Sequence, residues 1–157
     1  AEEICRLIDA GKKVAFLTIG DPSVYATYHY IHRLAEHRGK KVEMISGVPS
    51  FCSAAARLGI SLGDGEEQIH IIPGSYGVEE TTTLSGTRIY MKSGRELQHV
   101  KKVLKEEAAC REKNGEELQV YAVTDCGLEN EMVMRGLEEW PEKLPYLTIV
   151  IVKVRKI

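Results

Sequence analysis

Strand-like segments at residues 14–19, 42–45, 69–72, 88–91, 118–123 and 148–154, the first nearly all apolar, alternate with segments of helical period, and this alternation narrows the available folds more than any other feature. It predicts an α/β protein. Before the first run, Ile4, Leu7 and Ile8 recur at helical spacing and Gly11 stops them. After it, Gly20-Asp21-Pro22 predicts a helix over 22–38: Asp21 suits the N-cap, Pro22 the first helical position, and Val24, Tyr28, Ile31 and Ala35 share a face. Residues 46–49 form a loop, and a small-residue helix from Ser50 through Ala54, Ala55 and Ala56 stops at Gly59. Further on, Ser93 and Glu96 have capping-box spacing ahead of Leu97, Val100, Leu104 and Ala108, with Asn114-Gly115 as the stop. Residues 129–139 are predicted helical. A domain junction is placed near 77, giving domains 1–76 and 77–157.

At 157 residues the chain can bury a sizeable core, as one domain or two small ones. A net charge of -2 provides no long-range field for nucleic acid, and no basic-aromatic tract suggests one. No apolar run is long enough to cross a bilayer as a helix. Cys5, Cys52, Cys110 and Cys126 form no C-x-x-C pair, so they are read as reduced thiols of a cytoplasmic protein. His29, His32 and His37 share a predicted helix, but no Cys, Asp or Glu completes a convincing ligand set with them, so no metal site is expected.

In an open α/β sheet, ligands sit outside the carboxyl ends of strands. The Gly20-Asp21 turn after the first run is therefore either a plain helix cap or a ligand loop. It has the spacing of neither a P-loop nor a G-x-G-x-x-G fingerprint.

Residues 17–25, Leu-Thr-Ile-Gly-Asp-Pro-Ser-Val-Tyr, resemble a signature of the tetrapyrrole methylases. The continuation 26–31 is similar to the branch that methylates carbon 20 of precorrin-2 or its cobalt-bearing counterpart. Residues 45–56, 90–92, 126–131 and 146–152 resemble later segments of the same family, in the same order. Its Gly-Pro-Gly-Asp-Pro loop is absent and would lie before Ala1, about 70 to 80 family residues by usual domain length. Ser46 stands where many members have proline.

The resemblance implies two α/β domains with a cofactor cleft between them, the N-terminal one incomplete. It implies that Ile19, Gly20, Asp21 and Val24 contact the methionine and ribose parts of S-adenosylmethionine, with Pro49 and Ser50 beside them. Met91 and Gly127 would border the adenosine, and S-adenosylhomocysteine would be the product. The substrate is then a tetrapyrrole, methylated by direct displacement without a metal or a covalent nucleophile. Tyr25, Tyr28 and His29 are candidates for a proton-accepting role, Lys92 and Arg95 for donors to substrate carboxylates. A homodimer is implied as well. The alternatives left open are a non-catalytic α/β fragment and a family member acting on a protein or an RNA.

Overall fold

The computed structural model describes residues 2–74, 77–93 and 96–156. The chain divides into two compact units, Ala1–Ser50 and Phe51–Ile157.

In the first unit, α1 (Glu2–Asp9) and α2 (Tyr28–His37) are joined and followed by extended segments. Gly11 and Gly39 end the two helices at φ 75° and 70°, a conformation that costs glycine little. Ion pairs from Arg38 to Glu2 and from Lys40 to Asp9 tie the end of α2 to α1. Phe16 stacks on Tyr28 with ring centroids 5.6 Å apart.

Three expectations are corrected in this unit. Residues 14–19 and 42–45 have the apolar content of strands but form no ladder, because no described segment pairs with them. Leu17, Ile19 and Ile45 are consequently 89%, 83% and 80% exposed. The helix expected from Pro22 starts only at Tyr28. Residues 21–25 are a turn instead, in which Val24 N–H donates to the Asp21 carbonyl and Tyr25 takes a φ of 49° that no helix allows.

The second unit is built on a five-stranded sheet in the order β1 (Ile69–Pro73), β2 (Thr87–Met91), β5 (Thr148–Lys156), β3 (Glu116–Thr124), β4 (Met132–Arg135). β1 and β2 are parallel, and every other pairing is antiparallel. α4 (Leu97–Glu112) packs on this sheet and encloses the core of Tyr90, Leu97, Val100, Leu104, Val120, Val150 and Val152. α3 (Ser50–Leu58) ends at Gly59, as its small-residue pattern predicts. β2 is buried at every position, Arg88 included, and β5 is buried over its first five residues, as suits strands central in the sheet.

Two local readings change. The helix expected over 129–139 is the hairpin strand β4. Gly136 (φ 88°) donates its N–H to the Val120 carbonyl and cuts the helical pattern short, while β3 provides a free edge for Met132 to Arg135. The capping box at Ser93 does not form: α4 starts at Leu97 with Glu96 as its N-cap residue. Ser93 is instead held in the continuation of β2. Gly74 donates its N–H to the Met91 carbonyl, and a Cβ on Gly74 would meet the Ser93 hydroxyl at 2.1 Å.

A buried polar network ties the 3₁₀ turn Glu79–Thr83, β2 and α4 together. Arg88, wholly inaccessible, donates two hydrogen bonds to Glu107 (2.8 and 2.9 Å) and one to the Thr81 carbonyl. Arg111 donates to Glu107 (2.5 Å), Glu116 and the Thr82 carbonyl, and Thr81 and Tyr90 share a 2.6 Å hydroxyl bond.

Candidate functional site

The first group of predicted residues lies on the turn 19–25 and the loop 46–50. Asp21 joins them. Its Oδ1 accepts the Ser23 N–H (2.8 Å) and the Ser23 hydroxyl, and its Oδ2 accepts the Gly47 N–H (2.9 Å). These bonds, Ser23 first and Gly47 after it, hold the carboxyl below its usual range. Asp21 is thus a clamp between two loops and not the cap of α2. The close approach needs glycine on both sides. Gly20 adopts φ 82°, and a Cβ on Gly47 would fall 2.2 Å from the Gly20 carbonyl oxygen. Ile19 is exposed beside the clamp, Val24, Pro49 and Ser50 are half-buried, and Tyr25 is exposed at its positive φ.

The second group lies at one end of the five-stranded sheet. Register places Pro73 opposite Met91, Met91 opposite Ile149, and Thr124 opposite both Thr148 and Met132. The carboxyl ends of β1, β2 and β3 therefore coincide, which is where an α/β sheet presents ligand-binding loops. With only β5 between them, the ends of β2 and β3 lie about 10 Å apart. Met91 is buried, Lys92 follows it exposed at φ 59°, and Asp125 follows β3 at φ 46°. Gly127 is exposed at φ 82° with nothing within 4 Å of where a Cβ would stand. Two fully buried hydroxyls at this end, of Ser93 and Thr124, have no hydrogen-bond partner among the described residues.

Beside Gly127 runs an open groove of about 670 Å³, walled by Ser53, Ala56 and Arg57 of α3 and by the turn 126–131. Glu131 lines it with one carboxylate oxygen on the Gly127 N–H (2.7 Å) and the other on the Arg57 guanidinium. The Gly127 amide, then Arg57, lower the Glu131 carboxyl from its usual range. Burial, with the Glu131 charge beside it, raises the Cys126 thiol. Sequence reading missed Glu131, Arg57 and Gly47. Arg57 and Glu131 lie 74 positions apart, and no local signal pairs them.

The remaining candidates are placed as follows. Tyr28 is buried on α2, stacked on Phe16 and hydrogen-bonded to His32 Nδ1 at 3.2 Å, while His29 beside it is half-buried. His32 Nε2 faces Glu36 at 3.3 Å. No group of three or more His, Cys, Asp or Glu is placed to hold a metal among the described residues. Arg95 and part of the 93–96 box lie outside those residues.

Comparison with known proteins places this architecture. Residues 1–140 match the model of the Tetrapyrrole (Corrin/Porphyrin) Methylases, and the chain belongs to that family. A probable cobalt-precorrin-2 C(20)-methyltransferase of Methanocaldococcus jannaschii is 33% identical over 144 residues, 90% of this chain and 59% of the relative. A precorrin-2 C(20)-methyltransferase of Sinorhizobium is 29% identical over 156 residues, 97% of this chain and 60% of the relative. The chain thus spans about three fifths of the length of these relatives. Among solved structures, a cobalt precorrin-4 methyltransferase superposes with a TM-score of 0.79 at 16% identity, covering 97% of this chain and 68% of that one. A uroporphyrin-III C-methyltransferase from Thermus thermophilus, complexed with S-adenyl homocysteine, superposes at 0.61 and 18% identity, covering 97% and 72%. The fold is the α/β fold of the tetrapyrrole methylases.

Proposed function

We propose that this chain serves S-adenosylmethionine-dependent methyl transfer to a tetrapyrrole, with carbon 20 of precorrin-2 or of its cobalt form as the acceptor. One observation carries the reading. The non-glycine residues at positive φ among the described ones are Tyr25, Lys92 and Asp125, and all three fall in the segments that the sequence marks for the cofactor or beside them. A tyrosine or lysine in this region costs about 1–3 kcal/mol, and such strain collects where backbone is shaped for a ligand. The names of the two relatives support the acceptor.

The residues present suit the cofactor chemically: bare backbone at Gly20 and Gly127, apolar Ile19 and Val24 beside the clamp, and buried Met91 at the strand end. In this reading Ile19, Gly20, Val24, Pro49 and Ser50 hold the methionine and ribose portions, and Met91 and Gly127 border the adenosine. When bound, S-adenosylmethionine supplies the electrophilic methyl group. The protein's contribution is alignment and exclusion of water. Asp21 keeps the 46–50 loop against the 19–25 turn. Lys92 is a cationic partner for substrate carboxylates. Tyr25, Tyr28 and His29 are the candidates for receiving the meso proton, with Tyr28 hydrogen-bonded to His32. A cytoplasmic homodimer and a domain division at 76/77 belong to the same reading, the latter set beside the contact division at Ser50.

The test is calorimetric titration with S-adenosylhomocysteine, followed by methyl transfer to metal-free and cobalt-bearing precorrin-2. Binding is expected at micromolar concentration, weakened about tenfold by Asp21→Ala as the clamp opens. Absence of binding by the unaltered chain would overturn the reading in favour of a non-catalytic role.

A further inference from the structure

The turn that presents Gly127 is held from inside by one side chain. Asp125 and Gly127 are both left-handed; Asp125 donates its N–H to the Leu147 carbonyl, and within the turn the described backbone bonds are short, Leu128 N–H to the Asp125 carbonyl and Glu131 N–H to the Leu128 carbonyl. Glu131 folds back over it with its side chain 13% exposed, although the turn itself is at the surface. One oxygen takes the Gly127 amide and the other takes Arg57 from α3, so a single carboxylate joins the turn to a helix. Both of these partners are donors, and the Cys126 thiol also hydrogen-bonds to the carboxylate. Glutamine has one acceptor atom and would satisfy only one of them, turning an amide NH₂ toward the other. Aspartate is one methylene short.

We propose that Glu131 is a positioning residue for the cofactor, acting through the Gly127 amide and Arg57 to keep the Gly127 turn open to the adenosine. This rests on the methyltransferase reading above. The groove beside the turn has the volume of a small-molecule site, and α3 contributes to it small side chains, Ser53 and Ala56, together with Arg57. The lowered Glu131 carboxyl keeps the strut ionised across the neutral range.

The experiment compares the unaltered chain with Glu131→Gln, Arg57→Ala and the double variant. S-adenosylhomocysteine affinity is measured by calorimetry, methyl transfer by initial rates, and Gly127 amide exchange by NMR. Glu131→Gln is expected to weaken binding and raise KM for S-adenosylmethionine about tenfold while kcat changes less than about twofold, the split expected when ground-state and transition-state binding fall together. Gly127 exchange should quicken by a similar factor. Arg57→Ala should give a smaller loss, and the double variant should bind no more weakly than Glu131→Gln alone. Unchanged affinity and exchange in Glu131→Gln would overturn the positioning role alone. A misfolded Glu131→Gln would leave Arg57→Ala to decide, and wild-type affinity in that variant would overturn the role as well. Failure of the unaltered chain to bind would overturn the methyltransferase reading, and this role with it.

Discussion

At the scale of one residue, Asp21 joins the 19–25 turn to the 46–50 loop. Its carboxylate bonds to the Ser23 amide and hydroxyl and to the Gly47 amide, and these bonds lower its pKa in the fold. A carboxyl lowered on folding stabilises the fold above its unfolded pKa and loses that contribution as pH falls through the folded value. The thermal midpoint is therefore expected to drop as pH falls below about 3.8, the ordinary aspartate value, and Asp21→Asn should flatten that part of the profile. Gly47→Ala tests the same contact by steric means. Its Cβ would stand 2.2 Å from a backbone oxygen, which must move. A loss of about 1–3 kcal/mol is expected by denaturant titration. The glycines and Asp21 are visible in the sequence as turn signals. The bond from Asp21 to Gly47 spans 26 positions, so local reading finds the residues but not the clamp.

Elements divide by whether their partners are near in sequence. α3, β1, β2, β3 and β5 follow from period and stops, since burial on both faces or on one face writes itself into the local pattern. β4 does not, because residues 129–139 have enough helical spacing to suggest a helix, and only the open edge of β3 decides otherwise. The cluster of Arg88, Glu107 and Arg111 is likewise tertiary. Lys and Glu residues around 101–107 read as a solvated helix face, yet Glu107 is 8% exposed and receives two arginines. Glu107→Leu leaves Arg88 as an uncompensated buried charge and should cost about 3–5 kcal/mol. Arg88→Met combined with Glu107→Leu should cost less than the single change, because apolar replacement of both partners removes the desolvation penalty too. Urea denaturation of the three proteins measures the difference.

Across the whole molecule, apolar side chains are spent unequally. The second unit encloses Leu104, Val150 and Ile151 without exposure, whereas in the first unit Leu17 and Ile45 stand 89% and 80% exposed. Leu104→Ala should therefore cost about 2–5 kcal/mol through lost contacts and a cavity. Leu17→Ser and Ile45→Ser should each shift stability by less than about 0.5 kcal/mol, and both should improve solubility. Thermal unfolding of the three variants tests the contrast. No described helix is long and apolar enough to cross a membrane.

By itself the sequence determined the α/β alternation, most helices and strands, and the glycines at which the chain turns, because period, capping and positive φ are properties of a few neighbouring residues. It also carried the family, through segments in a fixed order. Tertiary structure alone decided that residues 14–19 and 42–45 lack a ladder, that β4 is a strand, that Asp21 and Glu131 are struts, and that Met91 and Gly127 lie at the same end of the sheet. Each of those depends on a partner many residues away, and a hydrogen bond or a strand pairing exists only once the chain has brought that partner into reach.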